Sequence, residues 1–289
     1  MQEMIVKVRE MTQRVVVEVP QLTQQFALMN RNEQTLRDKL VPLYRATRVR
    51  GCMDEMDRTQ SGRPFQCDRD GDGTAEPKLF AEYVACRVEQ NYLLGQPDGS
   101  GRRAVVDTPG RRANARQLAT SLLAQIQGVV QVFPSESNLP TTPENAASFS
   151  KVRVPRYTNA DQVIEKYGPS LARFNVPGIN PAELVRVALD QCFSQAAHET
   201  EEAQQDSSSV LGQIRTGIET MRNTLTTQID GNLVEYREMY NDTMREMRGQ
   251  DWQLADPRCA PQANLPNKVQ CLEGFRLVMG GILDGSANG

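Results

Sequence analysis

Eleven apolar side chains recur along the carboxyl-terminal third of the chain at a spacing that admits one secondary structure. Leu211, Ile214, Ile218, Met221, Leu225, Ile229, Leu233, Tyr236, Tyr240, Met244 and Met247 take ten steps over 36 residues. The mean step of 3.6 residues is the period of a straight α-helix, not the 3.5 of a strict left-handed coiled coil. The residues between are largely polar, so the helix carries one apolar stripe and must lay it against something. The amino-terminal helices of the same chain and a second subunit are both candidate partners. The periodic region starts at Pro181, with Asn180 as its cap, and extends to about Gly249. Asp206-Ser207-Ser208-Ser209 is the place for a break in it. Asp230-Gly231 is the place for a kink, since glycine costs about 1 kcal/mol against alanine inside a helix.

Upstream, Leu22, Phe26, Met29, Leu36, Leu40 and Leu43 repeat near helical spacing, so residues 1–58 read as helix with one interruption. That interruption is Val15-Val16-Val17-Glu18-Val19-Pro20, a β-branched run closed by proline, which points to a short β element or a kinked turn near the N-terminus. A polar loop rich in Gly and Pro fills 59–77, helix resumes from about Lys78 to Leu94, and 95–101 breaks it again. Residues 112–132 form a further helix, and Asn159 caps a short one beyond it. Between them the Pro-, Ser-, Asn- and Thr-rich stretch 133–158 is long for a loop inside a compact domain and reads as an extended linker. The pattern predicts a mainly α protein, an elongated helical bundle of long amphipathic helices with irregular loops. Its expected divisions are an N-terminal helical region 1–132, the linker 133–158, a long-helix region 159–250, and a disulfide-clamped loop and tail 251–289.

Composition narrows the function classes. A hydrophobic fraction of 39% and an aromatic fraction of 6% are low for a compact catalyst of 289 residues. A formal charge of −3 argues against a general nucleic-acid binder, which shows a basic excess. No stretch reaches the roughly 20 apolar residues that span a bilayer, and residues 1–19 carry charges throughout, unlike a signal peptide. The six cysteines, Cys52, Cys67, Cys86, Cys192, Cys259 and Cys271, form no CxxC, so zinc ribbons and thioredoxin-type sites lose their usual signature. Their even number and loop-rich neighbourhoods favour disulfides and an oxidising environment, extracellular, periplasmic or virion. Six buried thiols in a cytosolic helical protein are the alternative. Cys259–Cys271 is the first expected pair, across a Pro-rich loop; Cys52–Cys86 is the second, with Cys67 and Cys192 the least settled.

The sharpest local motif is Asp68-Arg69-Asp70-Gly71-Asp72-Gly73, which continues through Thr74 and Glu76 to Leu79. Three carboxylates at alternate positions can converge on one hard cation, and Gly73 permits the sharp turn around it. The run resembles the calcium loop of EF-hand and dockerin proteins. The resemblance implies Ca2+ held by Asp68, Asp70, Asp72, the Thr74 carbonyl and Glu76, in a structural role. The pattern departs at its last ligand position, where Leu79 stands in place of a bidentate glutamate; Glu82 lies one turn further on. Losing that ligand implies weak affinity, on the order of 10⁻⁴–10⁻³ M.

Other motifs carry less chemistry. Asp107-Thr108-Pro109-Gly110 resembles the DxxG segment of GTPases, but the chain has no G-x-x-x-x-G-K-[ST] phosphate cradle and the run reads as a turn. Arg102, Arg103, Arg111 and Arg112 bracket that turn and form a candidate interaction patch for carboxylates or phosphates. His198, the only histidine, follows Cys192 by six residues, about 240° away around a helix, which is poor geometry for a Cys–His pair. The reading that fits these observations is a non-enzymatic structural subunit of a homo- or hetero-oligomeric assembly, a virion or tail part or a piece of a secretion, conjugation or pilus apparatus. The alternative is a calcium-stabilised adhesin or receptor-binding module.

Overall fold

The computed structural model describes residues 2–57, 80–141, 153–174, 178–248 and 256–287. The fold is mainly α, and the chain forms two compact units: Met1–Gln34 with Ile214–Gly289, and Thr35–Gln213.

The first unit is built from α1 (Gln2–Thr35), most of α7 (Val210–Arg248), a 3-10 turn at Pro257–Cys259 and α8 (Leu265–Ala287). Met11, Val15, Val19, Leu22 and Met29 of α1 are buried, as are Ile214, Ile218, Leu225, Ile229, Leu233 and Tyr236 of α7. Val269, Leu272, Phe275 and Met279 bring in the third helix. α1 and α7 run antiparallel: Arg14 holds Glu235, the Tyr236 hydroxyl donates to Glu18 at 2.7 Å, and Arg222 donates to Glu33 at 2.5 Å. α8 joins them through Thr23, which donates to Glu273 at 2.7 Å, and through the Phe275 ring, edge-on to Tyr236 and Tyr240 at 6.4 and 5.9 Å. From Ile214 to Tyr236 the apolar row of α7 therefore finds its cover in helices of its own chain. α7 runs unbroken through Asp230-Gly231. The β-branched run 15–20 is helical throughout, not a β element. Val15 and Val19 sit one turn apart on the buried stripe, while Val16, Val17 and Pro20 stay exposed. Burying that stripe outweighs the weak β preference of valine.

The second unit contains α2 (Val41–Asp57), α3 (Phe80–Leu93), the strands β1 (Leu94–Pro97) and β2 (Arg103–Val105), α4 (Pro109–Val130), α5 (Ala160–Leu171) and α6 (Pro181–Gln205). A π-helical turn, Leu36–Leu40, precedes α2 and is closed by the Val41 N–H donating to the Leu36 carbonyl. Pro42 explains it, because proline lacks an N–H and its ring crowds the carbonyl four residues back. One core gathers Ala46, Val49 and Met53 from α2, Val84 and Val88 from α3, and Leu122, Ile126 and Val129 from α4. Val163 and Leu171 of α5 and Val185, Leu189 and Ala196 of α6 complete it.

Of the segment 133–158, expected as a linker, residues 142–152 lie outside the described residues. Phe133 and Tyr157, at its two ends, are buried in the core with ring centroids 6.5 Å apart, and Phe133 meets Phe193 at 5.7 Å. The expected break before α7 is present: α6 ends at Gln205 and Asp206 begins a turn in which Ser209 accepts from the Gly212 N–H at 2.9 Å. A side chain at Gly212 would meet the Asp206 carbonyl oxygen at 1.9 Å, so the turn depends on glycine.

The cysteine pairing holds for one expectation and corrects the other. Cys259 bonds Cys271, clamping the 3-10 turn to α8. Cys52 bonds Cys192, not Cys86, because α2 turns this residue toward α6, with the two Cα atoms 5.6 Å apart. Cys86 is disulfide-bonded as well, and Cys67 lies outside the described residues. Chain-entropy arguments scale the bridges by the loops they close. The 140-residue separation of Cys52–Cys192 gives about 5 kcal/mol, and the 12-residue separation of Cys259–Cys271 about 3 kcal/mol. The Cys52→Ser/Cys192→Ser double variant is accordingly expected to lose more stability than Cys259→Ser/Cys271→Ser, read as the midpoints of urea unfolding.

Candidate functional site

The four arginines expected to form a contact patch lie where α3 leaves the core and α4 begins. β1 and β2 make an antiparallel hairpin with Leu94 opposite Val105 and Pro97 opposite Arg103. The sequence alone read this stretch as a plain break, although its Asp-Gly step is a turn signal. Asp98 organises the tip: its carboxylate accepts from the Ser100 hydroxyl at 2.6 Å and from the backbone of Ser100 and Arg102. Those bonds, the Ser100 hydroxyl first, hold its carboxyl below the usual carboxylate range. Gly101 takes the left-handed conformation there, with φ of 78°. Thr108 then caps α4, with Pro109 in the favoured first turn.

The structure divides the arginines by role. Arg111 is half-buried; it donates to the Tyr92 carbonyl at 2.6 Å and lies over the Tyr92 ring at 5.6 Å. It therefore ties the first turn of α4 to the end of α3. Arg112 forms a two-pronged ion pair with Asp107, whose carboxyl is pushed down by that hydrogen bond while the guanidinium is pushed up. Arg102 and Arg103 remain exposed beside Val105 and Val106, which are 68% and 39% exposed. The outward surface is thus two cations and two valines on a two-stranded hairpin. A sheet this small is marginal by itself and offers open edges for a further strand.

The remaining expectations sort plainly. Asp68, Asp70, Asp72, Thr74, Glu76 and Leu79 lie outside the described residues. Glu82, in the first turn of α3, is buried at 2% exposure. Cys192 is committed to its disulfide, and His198 is exposed on α6 beside Glu202 at 3.2 Å, so the two do not form a nucleophile and base. Among the described residues no group of three His, Cys, Asp or Glu side chains is placed to hold a metal, and no helix is long and apolar enough to cross a membrane.

Two polar features of the first unit were not legible in the sequence. A cavity of about 190 Å³ is bounded by Leu233, Ala260 and Cys259 together with Asp230, Arg237 and Lys268. Lys268 is buried and satisfies its charge on Asp230 at 2.6 Å. Glu18 accepts from Asn232 and Tyr236 across the α1–α7 seam and from Arg14 one turn away on its own helix. Burial, then the hydrogen bond to Glu18 and its charge, push the Tyr236 phenol well above its usual value. No protein-family model matches the chain, and neither a search of curated proteins nor one of solved structures finds a match.

Two outcomes are expected. Arg111→Ala lowers stability by about 1–3 kcal/mol, the scale of a lost charge-assisted hydrogen bond, whereas Arg102→Ala and Arg103→Ala leave the melting temperature within a degree or so. The phenol's folded pKa is raised, so its contribution is full below the unfolded value of about 10 and is lost as pH rises toward the folded value. The stability gap between wild type and Tyr236→Phe should therefore narrow above about pH 10. A gap that stays constant across a denaturation series to alkaline pH contradicts this.

Proposed function

We propose that the chain is a non-enzymatic structural subunit of an assembly outside the reducing cytoplasm, a virion or tail part or a piece of a secretion, conjugation or pilus apparatus. The observation that carries the reading is the state of the cysteines. Cys52, Cys86, Cys192, Cys259 and Cys271, every cysteine among the described residues, are disulfide-bonded. Disulfides persist in oxidising surroundings and are rare where thiol reductants are kept high. Long helices held by such bridges, with a hairpin and a helix face directed outward, suit a part that is built into something larger.

Ca2+ belongs to this reading as a structural ion at Asp68, Asp70, Asp72, Thr74 and Glu76. α3 begins at Phe80, directly after that acidic run, as a helix follows the loop in the proteins it resembles. A bound ion would neutralise three neighbouring carboxylates and fix the entry to α3. The second reading, an adhesin or receptor-binding module, is favoured by one feature: the exposed Arg102, Arg103, Val105 and Val106 on the hairpin.

Thermal melts of the purified chain with millimolar calcium or chelator, each with and without reductant, test the proposal. At about 10 mM calcium, a site in the weak range stabilises by about 1.5–3 kcal/mol, a rise of several degrees, and reductant should lower every curve. Curves indifferent to both additions would remove the ion and the compartment together.

A further inference from the structure

Helix α1 has a second apolar row, on the side away from its core stripe. Val6, Val17 and Leu28 are 54%, 58% and 47% exposed, although each is a residue a helix ordinarily buries. They recur every 11 residues, which at about 100° per residue returns to within about 20° of the same direction. The three side chains thus stand on one line, roughly 16 Å apart. Val15 and Val19, which flank Val17 at two residues on either side, point into the core. Val17 therefore faces directly away from it. Along the same line lie Glu10, Gln13, Gln21, Gln24 and Arg31, all exposed and all without a partner in the chain among the described residues.

The line keeps the same order of polar and apolar positions in both directions. Counting outward from Val17, Gln13 and Gln21 stand 4 residues away, Glu10 and Gln24 stand 7 away, and Val6 and Leu28 stand 11 away. Positions 3 and 31, at 14 residues, are acidic and basic in the sequence. A two-fold contact between identical chains demands this symmetry, because residue i must suit j while j suits i.

We propose that α1 is a homodimer surface, on which a second copy of the chain lies antiparallel with the two-fold axis passing Val17. In that register Val17 meets its own counterpart and Val6 packs on Leu28 of the second copy. The Gln24 amide donates to the Glu10 carboxylate, and Gln13 and Gln21 exchange amide hydrogen bonds. Each polar pair occurs twice. The opposite side of α1 is already committed to α7 and α8, so the contact adds to the bundle without repacking it. Three apolar residues per helix make a small interface beside the roughly 800 Å² per partner of a stable dimer, so association is concentration-dependent. The inference rests on the assembly reading and names one partner for it.

Cysteine cross-linking of the full chain reads the register directly. Under mild oxidation Val17→Cys should form a covalent dimer that reductant reverses. Gln25→Cys, exposed on the flank of the same helix and roughly 24 Å from its counterpart along the axis, should not. Gln13→Cys and Gln21→Cys chains should cross-link when mixed and not separately. Val17→Asp, with unchanged helicity by circular dichroism, should shift the mass measured by sedimentation toward the monomer at concentrations where wild type is dimeric. A wild-type mass that stays monomeric at every concentration, with Val17→Cys uncoupled, overturns the dimer; so does equal cross-linking of Val17→Cys and Gln25→Cys. The two readings fail separately. Calcium- and reductant-sensitive melts without cross-linking sink the dimer alone, and cross-linking with indifferent melts sinks the ion and the oxidising compartment while the dimer stands.

Discussion

The packing of α2 on α6, locked by Cys52–Cys192, is the contact on which the second unit turns. Both helices put small residues into the shared core, Ala46 on one side and Ala188 and Ala196 on the other, alongside Val49, Val185 and Leu189. Small side chains let two helix backbones come close, and the bridge then removes from the unfolded chain the freedom of the 140 residues between its ends. α3, α4 and α5 all arise within that span, so their search for a common core is shortened by the same bond. Phe133, Tyr157 and Phe193 fill the remaining volume through edge-to-face contacts.

The first unit solves a different problem, since α1 and α7 are longer and mostly polar. A single stripe on each of α1, α7 and α8 supplies the apolar burial, and polar groups specify how the stripes meet. Glu18 accepts from Arg14, Asn232 and Tyr236, while Lys268 is neutralised by Asp230. Exposed ion pairs such as Arg14–Glu235 add little stability, but they penalise a slipped or parallel alignment of α1 and α7. The same helix that supplies this seam turns Val6, Val17 and Leu28 outward, giving α1 one face for the fold and one for a neighbour.

The arginines near the hairpin show how residue type and role separate. Arg102, Arg103, Arg111 and Arg112 lie within a span of eleven positions and read as one basic patch. Folding spends Arg111 on a backbone carbonyl and an aromatic ring and Arg112 on Asp107, leaving two cations for the surface. Charge density in a sequence therefore overstates the charge a partner would meet.

Periodicity and local punctuation were enough to define the helices, because both act within a few residues. The 3.6-residue row of α7, the Asn159 and Asn180 caps, the turn at Asp206 and the Cys259–Cys271 loop all rest on such short-range chemistry. Tertiary structure decided what depends on residues far apart in the chain. It made Val15–Pro20 helical by giving Val15 and Val19 a core to enter, and paired Cys52 with Cys192 in place of Cys86. It also set which of four arginines face water and which side of α1 is left uncovered. The physical reason is common to all of these. Burial is shared among distant segments, and a local preference worth a few tenths of a kcal/mol yields to the roughly 1.5–3 kcal/mol gained by burying one large apolar side chain.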